Sequence, residues 1–94
     1  MKKITIYDYR RGKDEHHALT AEINEKGDLV FSGYDCGEYL KDLYGDFDYE
    51  YWLTIKAEDI STILLNLIKE QFKTDVEFKQ WLEKNDIPYD TMSF

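Results

Sequence analysis

Three groups of side chains in this sequence are of types that can do chemistry. They are the alternating carboxylates Asp46, Asp48 and Glu50, the adjacent His16 and His17, and the single thiol of Cys36. In extended backbone alternate residues share a face, so the three carboxylates project together, with Trp52 beside them and Asp42 one helical turn away. Like charges this close repel one another, and a basic partner relieves that cost. The plain alternative is a solvated loop leading into the outward face of a strand. Asp46-x-Asp48-x-Glu50 also resembles the start of a calcium loop. Such a loop needs Gly at its sixth position and Glu at its twelfth, where this chain has Tyr51 and Ala57, so no metal site is expected.

The histidines are read as loop or strand-edge residues. Neighbours in a strand point to opposite faces, so the two rings do not readily chelate one metal, and no orienting carboxylate is visible in the sequence. Cys36 has no second cysteine to pair with, which fits a reducing compartment, and no base at recognisable spacing. It reads as an ordinary small, buried or half-buried residue. None of the phosphate-binding, dinucleotide-binding, nucleophile-elbow or zinc-protease motifs is present. Together with the small size, this weighs against an enzyme, and no cofactor is implied.

Charge separates partner classes. The net charge is −8, with 12 basic and 20 acidic side chains. It opposes direct binding to nucleic acid or to anionic membranes, both of which call for Lys and Arg excess. The imbalance is local: residues 1–26 sum to +1, residues 27–62 to −7 and residues 63–94 to −2. A basic protein suits the acidic middle third.

The elements that must position these groups follow from periodicity. Ile4 and Ile6 alternate with Thr5 and Tyr7 as a first strand, and Arg10 to Asp14 form a Gly-containing loop. Leu19, Ala21 and Ile23 mark the inward face of a second strand. A turn over Glu25-Lys26-Gly27-Asp28, with Gly27 free to take a positive φ, leads to a third strand over Leu29 to Tyr34. Asp35-Cys36-Gly37-Glu38 has the form of a capping box opening a short helix through Leu40 and Leu43 that ends near Gly45. Tyr49, Tyr51, Leu53 and Ile55 alternate with Glu50, Trp52, Thr54 and Lys56 as a fourth strand.

Ile60, Ile63, Leu64, Leu67, Ile68 and Phe72 then form a helical apolar stripe. Thr74-Asp75-Val76-Glu77 is a second capping box, before a helix carrying Phe78, Trp81 and Leu82 that stops near Asn85, ahead of Pro88. The tail 87–94 is open between a fifth strand and an extended arm. The expectation is a single α+β domain over 1–94. It has an antiparallel sheet of four to five strands, two C-terminal helices packed on one face, and a short helix between strands three and four.

With 43% apolar and 16% aromatic residues the chain should bury a core and fold unaided. Neither a signal-peptide apolar region nor a membrane span is seen, so a cytoplasmic location is expected. Of the tyrosines in the acidic third, Tyr49 and Tyr51 share a face with Leu53 and Ile55 and read as core. Tyr39 and Tyr44 are the surface candidates, because tyrosine suits interfaces.

The stretch Gly45-Asp46-Phe47-Asp48-Tyr49-Glu50-Tyr51-Trp52, the helix after it and the late Ile87-Pro88-Tyr89 resemble a family of small uncharacterised bacterial proteins. The resemblance covers most of the chain and implies no activity or site residue. In type, as a small acidic α+β chain, it is also similar to bacterial toxin-immunity proteins. The expected function is a non-catalytic inhibitor whose patch of Asp35, Asp42, Asp46, Asp48, Glu50, Tyr39 and Tyr44 docks on a basic toxin or nuclease. The alternatives are a nucleic-acid mimic blocking a DNA-binding enzyme, and a small enzyme or metal-binding protein using His16, His17 or Asp46/Asp48/Glu50. An exposed edge strand could also make a homodimer.

Overall fold

A computed structural model describes residues 2–38, 40 and 48–93. The chain divides into two compact units, residues 1–60 and 61–94, and each is described by itself. Together they make an α+β protein: a four-stranded antiparallel sheet among the described residues, followed by two helices.

The sheet is a meander in the order β1-β2-β3-β4, formed by β1 (Lys2–Arg11), β2 (Glu15–Ile23), β3 (Leu29–Cys36) and β4 (Asp48–Ile55). The β2–β3 hairpin is the best-specified connection. Gly27 sits at φ 83°, where a side chain would be strained, and the Asn24 carboxamide oxygen accepts from the Lys26 and Asp28 amides at 3.0 Å each. Asp28, buried at the end of this turn, accepts from the Ala57 amide at 2.8 Å and so ties the hairpin to the exit from β4. The first strand departs from simple alternation. Its pairing with β2 shifts between Thr5 and Tyr7, a bulge that takes up Ile6. Tyr7 and Tyr9 therefore join Ile4 on one face, where an unbroken strand would have placed them with Thr5.

Register sorts the sheet into two unlike faces. One carries Ile4, Ala21, Phe31 and Leu53 in one row and Tyr7, Leu19, Gly33 and Tyr51 in the next. Ala21 is the buried centre of this apolar face. Gly33 is required there by crowding. A Cβ at that position would meet the Tyr51 ring at 2.0 Å, and the ring lies across the glycine to bring its hydroxyl within 3.5 Å of that of Tyr7. The other face carries Thr5, Thr20, Ser32 and Trp52, flanked by Asp8, Ala18, Tyr34 and Glu50. Of the short helix expected after β3, only Leu40 is described beyond Glu38, and its side chain is buried.

A 3-10 turn (Ala57–Asp59) ends the first unit and runs into α1 (Ile60–Gln71), which with α2 (Asp75–Lys84) makes up the helical unit. The expected capping box is present in a shifted form, its return bond made to the residue before the cap. The Thr74 hydroxyl accepts from the Glu77 amide at 3.1 Å, and the Glu77 carboxylate reaches back to the Lys73 amide at 2.6 Å. The helix stops as expected near Asn85. Asp86 takes a left-handed φ of 56°, while the Ile87 and Asp86 amides donate to the Leu82 and Glu83 carbonyls. Phe72, Phe78 and Trp81 hold the pair together. The two Phe rings meet edge-on at 5.1 Å, and Phe78 stacks on Trp81 at 5.8 Å. The tail has no strand pairing over residues 87–93, and Tyr89 donates its hydroxyl to Glu83.

Candidate functional site

The polar face of the sheet gathers the candidate side chains. Asp48, Glu50 and Trp52 share it, as the alternation in β4 predicts, and Tyr49, Tyr51 and Leu53 share the opposite one. Asp48 is engaged by the Tyr34 hydroxyl, which donates to it at 3.2 Å. Glu50 enters no side-chain hydrogen bond or ion pair among the described residues. Trp52 is 64% exposed. Ala18, Thr20 and Ser32 are short, so beside Glu50 and Trp52 they leave a shallow groove of about 270 Å³, closed at one end by Tyr34.

Asp35 lies elsewhere. It belongs to β3, paired with Tyr49, rather than capping a helix, and it sits on the apolar face away from Asp48 and Glu50. Its carboxylate is used internally, accepting from His17 Nδ1 at 2.6 Å. Asp42, Asp46, Tyr39 and Tyr44 lie outside the described residues.

The two histidines point to opposite faces, as strand geometry requires, and folding supplies each with the carboxylate that sequence spacing did not reveal. His17 is held between Asp35 and Glu15, the latter at 3.2 Å from Nε2, with the Tyr9 ring 5.1 Å away. A neutral imidazole can donate from only one nitrogen, so two carboxylates favour the imidazolium. The Asp35 hydrogen bond accordingly raises the His17 pKa above 6.5, with Glu15 adding to it and burial opposing it. His16 donates from Nε2 to Asp8 at 2.7 Å and meets the Tyr34 ring edge-on.

Directly across from His16 on β3 stands Cys36. Arg10, Lys13, Asp14, His16, Tyr34 and Cys36 line an open cleft of about 390 Å³ at this end of the polar face. The Tyr34 phenol is pushed up to about 12, first by its hydrogen bond with Cys36, then by burial and by Asp48. Tyr51 is raised further, chiefly by Tyr7.

These pairings had a signal in the sequence. With Ile23 opposite Leu29 at the hairpin, counting outward along both strands sets His17 against Asp35 and His16 against Cys36. Among the described residues, no group of three or more His, Cys, Asp or Glu side chains is arranged to hold a metal ion. No described helix is long and apolar enough to cross a membrane. No protein-family model, curated protein or solved structure matches the chain.

Proposed function

We propose that this chain is a non-catalytic binding protein of the immunity type, which docks the polar face of its sheet on a basic toxin or nuclease. The observation that carries this reading is the grouping of Glu50, a carboxylate with no partner among the described residues, with the exposed indole of Trp52 on one face of a chain of net charge −8. Long-range attraction speeds encounter with a basic surface, and an aromatic anchor slows dissociation. Asp48 adds charge at the same strand. Asp35 is not part of this surface, because its carboxylate neutralises His17 on the other face.

The test is capture at low salt from the source organism's lysate, repeated with a variant carrying Asp48→Asn, Glu50→Gln and Trp52→Ala. One basic protein is expected. It should be released as salt rises, lose its own activity when the chain is bound, and be missed by the variant. Equal recovery by the variant would exclude this face as the docking surface.

A second reading has its own observation. His16, oriented by Asp8, stands opposite Cys36 in a cleft that also holds Arg10 and Lys13. The Cys36 thiol donates to the Asp14 carbonyl at 3.8 Å, and turning it to His16 would give the thiol–imidazole pairing of nucleophilic catalysis. If Cys36 is activated, its alkylation rate by iodoacetamide should exceed that of a free cysteine at pH 7 and drop in His16→Gln. A rate at or below that of the free amino acid returns Cys36 to a packing role.

A further inference from the structure

We infer that the groove beside Trp52 is a receptor for one arginine side chain of the basic partner, with the guanidinium stacked on the indole and forked onto the Glu50 carboxylate. The inference rests on the binding reading above and narrows it to a side chain and a pocket.

Four features of the face lead there. The groove of about 270 Å³ falls below the roughly 300–1,000 Å³ of small-molecule sites, yet it has room for one long side chain. Its floor is made of short residues, Ala18, Thr20 and Ser32, so an entering chain can lie flat against the strands. Trp52 lines it and is 64% exposed, so its indole is accessible to a cation. At its end Glu50 has no partner among the described residues, whereas the neighbouring carboxylates are engaged, Asp48 by Tyr34 and Asp8 by His16.

The chemistry selects between the two common cations. A lysine ammonium is compact and strongly hydrated, and it has no plane to lay on the indole. The guanidinium is planar and weakly hydrated, and its N–H groups match a carboxylate two at a time. A groove pairing an accessible indole with a single carboxylate therefore favours arginine.

The full chain can be titrated at low salt with N-acetyl-arginine amide and, separately, N-acetyl-lysine amide, which carry the same charge. The indole N–H signals of Trp52 and Trp81 are followed by NMR, with Trp52→Phe to assign them. The arginine derivative should move the Trp52 signal saturably and leave Trp81 in place. Its affinity should exceed that of the lysine derivative by about two- to fivefold, the range of an exposed cation–π contact. Glu50→Gln, checked for an unchanged melting transition, should weaken the arginine response by about threefold.

Equal affinities, a response retained in Glu50→Gln, or parallel shifts at both tryptophans would overturn the inference. The broader reading fails separately. If arginine is not bound but salt-sensitive capture still depends on this face, the groove assignment alone is wrong. If arginine is bound as expected but no basic protein is captured, the groove stands and the inhibitor reading falls.

Discussion

The two faces of the sheet use carboxylates in different ways. On the apolar face Asp35 and Glu15 close around His17, and Arg11 approaches Glu15 at 3.9 Å, so that both carboxylates are engaged internally. On the polar face Asp8 and Asp48 each accept from one neighbour, while Glu50 has no partner among the described residues and stands beside an exposed indole. Asp28 is used internally as well, buried at a turn and holding the Ala57 amide. The acidic middle third of the chain is thus not one uniform patch. Among its described carboxylates, Asp28 and Asp35 hold a turn and a strand in place and Asp48 accepts from Tyr34, which sets them apart from Glu50. A count of charges along a sequence measures the total; cross-strand pairing decides how much of it faces outward.

Substitutions on each face test this division of roles. The largest effect is expected at Gly33. Gly33→Val places a side chain where the Tyr51 ring lies, forcing the ring off the sheet and breaking its contact with Tyr7. Overpacking costs about 1–3 kcal/mol and occasionally more, and an overlap at 2.0 Å places this substitution at or beyond the upper end, measurable as a lower urea midpoint. A midpoint equal to that of the parent would mean that the ring does not need the glycine.

Next comes Asp35→Ala, which removes the closest partner of His17. Loss of a hydrogen bond to a charged group should cost about 1.5–3 kcal/mol near pH 6, by the same denaturation. If instead Asp35 behaved as a surface residue, with no change in midpoint, the internal role assigned to the apolar-face carboxylates would be wrong.

The same pair predicts a pH dependence. Because folding raises the His17 pKa, the native state binds the proton more tightly than the unfolded chain. The stabilisation is fully present below the unfolded value of 6.5 and is lost as pH rises through the higher folded value. Stability relative to His17→Gln should therefore shrink on going from pH 6 to pH 8.5. A difference that grows over this interval would reverse the sign and remove the imidazolium from the account. NMR titration of the His17 ring provides the direct reading.

The smallest effect is expected on the polar face. Glu50→Gln, at an exposed position with no partner among the described residues, should change stability by no more than about 0.5 kcal/mol. A larger loss would show that Glu50 too is used internally, and the contrast between the faces would disappear.

Much of the fold was legible because it depends on neighbours in the chain. Alternation placed the β4 side chains on their two faces. Asn24 to Asp28 specified the hairpin, and Thr74 with Glu77 announced the start of α2. The acidic character of the middle third and the grouping of Asp48, Glu50 and Trp52 were also present in the sequence, since all depend on composition or on period two. The partners of the histidines were less open to reading: the β2–β3 turn allows His17 to be counted to Asp35, but Asp8, the partner of His16, lies on β1 across the other hairpin. Asp35 looked like a helix cap because Glu38 follows it at the right spacing, but strand pairing with Tyr49 kept it extended and turned it towards His17. The Ile6 bulge likewise moved Tyr7 and Tyr9 to the face that the period alone denied them. Local preference acts through a few covalent bonds and can be read along the chain. Which carboxylate meets which imidazole, and which is left for a partner, depends on registers between strands that only the assembled sheet establishes.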